Sequence, residues 1–311
     1  MASNDSFVNF EKIMDKGIFF IPRYQRGYSW SKDNINVFLD DLDQTSPRES
    51  RYHYTGQIIT QQRSETEISI LDEQGQKICF DSNNDTLLHI VDGQQRLTTS
   101  FLILHVLLKK NEKEKKIEQV FGKPYQSYLD RLIYRDVDKK KELKLNYIIE
   151  DQSKFFYNVN NLISEIIDDP KKEFDVSNLY HKNLIEAVKT ISERINKLAV
   201  KNESFSKLIE NLLRGTRFTY IPFEVKESID IYVIFETMND RGKQLTNLEK
   251  LKNRLIYLST LVKTESPEDD TDKLRDDINS TWMTIYGELG KDKQEKIQED
   301  IYLKDHWIMY Y

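Results

Sequence analysis

The chain has 311 residues, room for one large domain or two ordinary ones. At 38% hydrophobic and 32% charged, with 10 Gly and 6 Pro, it reads as folded and excludes long flexible linkers. A single cysteine, Cys79, excludes an intrachain disulfide and a cysteine zinc site. The net charge of −6 argues against broad coating of DNA, yet leaves room for a local basic groove. The opening MASNDSFVNFEKIMDKG lacks the apolar run of a signal peptide, and FLILHVLL (101–108) is too short to cross a bilayer. No membrane partner is expected, and a reducing cytoplasm is the expected location.

In chain order, residues 6–16 predict a helix stopped by Gly17, and IFFIP (18–22) a short strand. Ser31 predicts the cap of a helix carrying Val37, Phe38, Asp41 and Leu42. TGQIITQQ (55–62) predicts a strand, SETEISILDEQGQKICF (64–80) a hairpin turning near Gly75, and LLHIV (87–91) another strand. DGQQR follows, then a helix through LTTSFLILHVLLKK. Residues 112–214 predict mainly helix, clearest in NLIEAVKTISERINKLAV (183–200), with a loop at DDPKKEFD (168–175). The basic runs KKNEKEKK (109–116) and DKKKELK (138–144) read as solvated helix ends or loops. RFTYIPFEV (217–225) predicts one returning strand and SIDIYVIFETMND (228–240) a helix. LTNLEKLKNRLIYLSTLV (245–262) and the remaining sequence predict further helices. The expected organisation is an α+β fold, with a strand-bearing core over 1–110 and a mainly helical region over 111–311. HWIMYY stops inside an apolar helical pattern, as expected of a piece cut from a longer protein.

Three polar blocks carry chemistry. In VDGQQRL (91–97) a strand turns into a helix. Asp92 is the expected N-cap with Gln95 as its capping-box partner, and Gly93 permits close backbone approach. The first-turn N–H groups of Gly93, Gln94 and Gln95, together with the Arg96 guanidinium, suit an anion such as phosphate. In IPRYQRGYSW (21–30), Arg23 and Arg26 can neutralise phosphates, and Gln25 can bond a base edge. Tyr24, Tyr28 and Trp30 can stack on a base, or anchor the loop as core residues. In FETMNDRGKQLTNLEKLKN (235–253), Asn239 and Arg241 can complete a polar pocket. Glu236 or Asp240 can hold magnesium through water, and Thr246 with Glu249 reads as a capping box. The five histidines show no metal-ligand spacing, and no HExxH, GxSxG or GxxxxGK[ST] occurs.

These blocks in this order, with HYTGQIITQ between the first two, resemble the N-terminal domain family of GmrSD-type restriction endonucleases, also catalogued as DUF-262. YLKDHWIMYY is similar to a later helix of that family. The resemblance implies a small ParB/sulfiredoxin-like mixed sheet in which Arg96 holds nucleotide phosphates, with Arg23 to Arg26 beside it. It implies an NTP-binding and NTP-hydrolysing sensor of modified DNA in anti-phage defence, with Asp92, Gln95 and Arg96 as the catalytic set. It leaves open GTP, ATP, UTP or CTP, and expects Mg2+ for hydrolysis. It also expects a separate C-terminal nuclease domain of the His-Asn-His type, of which this chain carries no motif. Two other readings stand beside it. One is a DNA-binding module that grips DNA phosphates without NTP turnover; the other is an assembly domain with a homodimer interface in the central helices.

Overall fold

The computed structural model describes residues 7–22, 25–63, 67–72, 74–81, 83–114, 119–120, 123–137, 140–148, 156–176, 178–202, 205–223, 246–261, 267–291 and 298–310. The chain divides into two compact units. The first holds Met1–Pro22, Tyr28–Phe174 and Asn183–Glu224; the second holds Arg23–Gly27, Asp175–Lys182 and Val225–Tyr311.

In the first unit β1 (Phe7–Val8) leads into α1 (Phe10–Met14), capped by Asn9. Then come β2 (Ile18–Ile21), α2 (Lys32–Gln44), β3 (His53–Gln62), β4 (Glu67–Leu71), β5 (Lys77–Asp81) and β6 (Leu87–Asp92). α3 (Gln94–Glu114) is followed by the short pieces β7 (Gln119–Val120), β8 (Lys123–Pro124) and α4 (Tyr125–Tyr128). Next are β9 (Tyr134–Val137), β10 (Lys140–Leu143) and β11 (Leu145–Tyr147). α5 (Val159–Asp168), α6 (Leu179–Asn202, whose first residues fall in the second unit), α7 (Phe205–Glu210) and β12 (Thr216–Phe223) complete it.

The central sheet has the order β1-β12-β3-β6-β2-β11. β12 runs parallel to β3, β6 to β2 and β2 to β11, while β3 meets β6 antiparallel. The predicted hairpin forms as β4–β5 and lays Ile68, Ile70 and Phe80 on Ile18, Phe20 and Leu87. α3 is buried on every side over 101–108, as expected of a helix apolar all round. Ser31 caps α2 through a box with Asn34. The buried stripe of that helix is Ile35, Phe38, Leu39 and Leu42, while Val37 faces solvent.

The α+β class stands as expected, with one difference in the middle of the chain. Residues 112–214 are not mainly helical throughout, because β7 to β11 lie there and β11 enters the central sheet beside β2. Two sheet strands, β11 and β12, come from beyond residue 110, so the sheet is not confined to the first 110 residues. The second unit contains α8 (Asn247–Leu261), α9 (Pro267–Lys291) and α10 (Glu299–Tyr310). They gather around Tyr180, Leu248, Trp282, Tyr286 and Leu289, with the Trp282 indole N–H donating to the Leu248 carbonyl at 3.2 Å. The expected helix at 228–240 lies outside the described residues.

Two buried histidines of the first unit are held neutral. Burial, and then the charge of Arg63, pushes His89 down to about 3. Burial pushes His105 down to about 4 against the raising effect of its hydrogen bond to Asn160. The unfolded chain therefore binds protons that the folded chain refuses as pH falls below the ordinary histidine value of 6.5. Urea midpoints should drop from pH 7 toward pH 4, and His105→Gln should make that drop smaller than in the wild type.

Candidate functional site

The turn between β6 and α3 is built around two glycines. Gly93 has φ +89°, and a Cβ there would lie 2.6 Å from the Gln57 carbonyl oxygen. The first helical bond runs from Leu97 N–H to the Gly93 carbonyl at 3.0 Å. Gly93 is thus the residue at the cap position, and the expected cap at Asp92 is corrected. Asp92 still belongs to β6, in register with Ile59, and the left-handed glycine separates it from the helix. Its Oδ2 instead accepts from Gln57 Nε2 at 3.0 Å and from Arg96 Nη2 at 3.5 Å. Asp92 Oδ1 has no hydrogen-bond partner among the described residues. The capping box expected with Gln95 is absent as well, since the Gln95 carboxamide oxygen accepts from Ser29 N–H at 2.8 Å.

Arg96 lies across the middle of β3. Gly56 has φ +113°, and a Cβ there would come within 2.6 Å of Arg96 Nη1. Glycine at 56 is what lets the guanidinium settle on the strand. Arg96 Nε is buried without a hydrogen-bond partner among the described residues. The Asp92 contact at 3.5 Å is at the limit of a hydrogen bond, and the Arg96 side chain keeps 25% exposure. A largely uncommitted guanidinium therefore stands at the positive end of a 21-residue helix. That arrangement can receive an anion on the guanidinium and on first-turn N–H groups, which a helix leaves without intrahelical acceptors. Sequence reasoning found Arg96 and missed Gly56, whose signal was a glycine inside an otherwise well-formed strand.

The opening loop is distributed between the units. Tyr28, in the first, is 2% exposed. Its hydroxyl meets Thr99 Oγ1 at 2.8 Å, and Thr99 Oγ1 donates onward to the Gln95 carbonyl at 2.8 Å. Burial raises its pKa well above the usual phenol range. A base contact by Tyr28 is therefore corrected: its ring is a core anchor with no face open for stacking. Trp30 is half-buried against Phe38, with ring centroids 5.7 Å apart. In the second unit Gln25 is buried and Arg26 Nη1 lies 3.1 Å from Glu249 Oε2. Glu249 also closes the predicted box with Thr246: Thr246 N–H donates to Oε2 at 2.8 Å, and Glu249 N–H donates to Thr246 Oγ1 at 3.2 Å. The charge of Arg26 is thus met by a buried carboxylate. Arg23, Tyr24, Asn239 and Arg241, with Glu236 and Asp240, lie outside the described residues.

The described residues contain no cluster of three or more His, Cys, Asp or Glu suited to a metal ion. Among the described residues, Asp92 is the carboxylate paired with Arg96 at the turn. No described helix is long and apolar enough to cross a membrane.

The site is thus an arginine-bearing strand-to-helix turn on a mixed sheet. The model of the family described as GmrSD restriction endonuclease, N-terminal domain, matches residues 8–256. The chain belongs to that family and so has a role in a restriction system. A curated protein described as ATP synthase subunit delta, from Caldicellulosiruptor bescii, is 27% identical over 169 residues. That match covers 53% of this chain and 87% of that protein. It is a similarity only, and the family rests on the far longer match.

Gly93→Ala should destabilise the first unit by about 1–3 kcal/mol, because alanine must adopt a left-handed backbone against Gln57. Denaturant midpoints would measure it. Glu249→Ala should cost more, about 3–5 kcal/mol, because it removes both the buried carboxylate facing Arg26 and the acceptor of the Thr246 N–H. Thermal melts at matched concentration would check that ordering.

Proposed function

We propose that this chain is an NTP-binding and NTP-hydrolysing sensor domain of a modification-dependent restriction protein, with nucleotide phosphates held at Gly93–Arg96. The observation that carries the reading is Arg96 itself, laid over Gly56 at the start of α3, with a guanidinium 25% exposed and a single ion-pair contact of 3.5 Å, to Asp92, among the described residues. The exposed part of that guanidinium offers charged donors, for which phosphate oxygens are fitting acceptors. The ParB/sulfiredoxin-like relationship of the sheet and a separate C-terminal nuclease domain belong to the same proposal, as does modified DNA as the signal sensed.

The roles divide among the turn residues. Arg96 and the first-turn amides bind phosphate and offset charge. Gln95 acts as a positioning residue through the Ser29 N–H it accepts. Asp92 is not spent on a helix cap, so Oδ1 is available to orient water or to hold magnesium carried in with the nucleotide. Hydrolysis then rests mainly on positioning and charge stabilisation, as phosphoryl transfer generally does.

The test is fluorescent-nucleotide binding and phosphate release with magnesium, comparing wild type with Arg96→Ala. A charge-assisted hydrogen bond contributes about 1.5–3 kcal/mol, so affinity should fall at least roughly tenfold. The melting temperature should change little, because a partly exposed pair contributes about 0–1 kcal/mol. Unchanged nucleotide affinity would reject the site. If no NTP binds and Arg96→Ala instead lowers the salt slope for duplex DNA by about 0.9, the turn is a DNA-phosphate clamp.

A further inference from the structure

Gln57 belongs to none of the three polar blocks, yet it meets the turn twice. Its carbonyl oxygen is an atom that a side chain at Gly93 would strike. Its own side chain is half-buried and donates from Nε2 to Asp92 Oδ2 at 3.0 Å. A carboxylate can only accept, so the amide nitrogen is the end that faces Asp92. This is the one hydrogen bond of the Gln57 side chain among the described residues. The ladder is irregular on both sides of this position. Thr55 is an extra residue of β3 against β12, since Tyr54 pairs with Arg217 and Gly56 with Phe218. Val91 is an extra residue of β6 against β3, since Asp92 pairs with Ile59 and Ile90 with Thr60. Extra residues of this kind re-aim side chains, and here they bracket the segment that brings Gln57 to Asp92.

Bond lengths decide what holds Asp92. The Gln57 bond has ordinary length, whereas the Arg96 contact of 3.5 Å is at the limit of a hydrogen bond. A phosphate on the Arg96 guanidinium competes with Asp92 for the same donors, so nucleotide binding weakens the longer contact first. Gln57 then remains as the donor that fixes the carboxylate plane. Both donors use Oδ2, which leaves Oδ1 as the open oxygen. The neighbouring guanidinium repels a second cation, so Oδ1 suits the hydrogen of a water molecule better than a metal ion.

We infer that Gln57 is a positioning residue for hydrolysis: it fixes Asp92 so that Oδ1 accepts a hydrogen of the attacking water and aims the water oxygen. The inference rests on the nucleotide reading of the Gly93–Arg96 turn. In the step itself the water oxygen bonds to the γ-phosphorus while the bond from that phosphorus to the bridging oxygen breaks. The electron pair of the broken bond leaves with the nucleoside diphosphate. One water hydrogen stays on the released phosphate and the other reaches solvent as a proton. Asp92 orients the water and is unchanged at the end; Gln57 acts only through Asp92.

The experiment uses the full chain with magnesium, with and without duplex DNA, and measures fluorescent-nucleotide affinity, phosphate release and melting temperature. Gln57→Met keeps the length and bulk of the side chain but not its donor. It should lower kcat about tenfold to a hundredfold, with nucleotide affinity within about twofold of wild type. Its melting temperature and its magnesium half-saturation should change little. Gln57→Glu has nearly the native shape, cannot donate and should be at least as slow. Gln57→Met combined with Asp92→Asn should be about as slow as the slower single variant, because residues that act as a unit are not additive. Wild-type kcat in Gln57→Met overturns the inference and leaves the nucleotide reading standing. An equal loss of affinity and turnover also overturns it, making Gln57 a binding residue, and a raised magnesium requirement does so by making the pair a metal site. Losses that multiply in the double variant overturn it too, and unfolding of both single Gln57 variants makes the residue structural. If the wild type binds nucleotide without releasing phosphate, the inference falls and the Arg96 phosphate site remains; if it binds none, both fall.

Discussion

The contact on which the candidate site depends is that of a charged side chain with bare backbone. Arg96 needs the space a side chain at position 56 would fill, and the turn that delivers it needs the space a side chain at 93 would fill. Both glycines also sit at positive φ, where other residues are strained. Close approach and backbone conformation therefore make the same demand at two places a few ångströms from one strand. The result brings a helix start, a guanidinium and the Asp92 carboxylate together.

Around that point the packing is hydrogen-bonded inward. Tyr28 reaches Thr99, Thr99 reaches the Gln95 carbonyl, and the Gln95 side chain takes the Ser29 amide. The rear of the opening loop is thereby fastened to the first turns of α3. Asn183 adds a hydrogen bond to the Tyr28 carbonyl at 3.0 Å. The loop's polar and aromatic composition is explained in part by this interior role, since a buried tyrosine requires a partner for its hydroxyl.

Much of this was legible in the chain itself. Hydrophobic alternation located β3, β6 and the β4–β5 hairpin. Ser31 and Thr246 announced their helices through short-range chemistry that needs no tertiary context. The strand β11 was not legible, because KELKLNYI offers only three sheet residues beside a lysine-rich stretch, and its place is decided by the waiting edge of β2. Asp92 misled for a related reason. An acidic residue before a helix suits a cap, but the strand ladder held it one residue too early, and only the fold reveals that Gly93 intervenes. Arg26 could be recognised as a functional-looking cation, whereas its carboxylate partner lies 223 positions away.

The complete burial of α3 over 101–108 has a consequence for how its first turn can bind. A helix enclosed on all sides cannot shift or tilt to meet a ligand without disturbing its neighbours. The ordering of that end was completed when the chain folded, so little conformational entropy is left to lose at the moment of binding. Selectivity there would come from shape and charge already in place, and altering it would mean changing the residues that ring the turn rather than the helix that carries it.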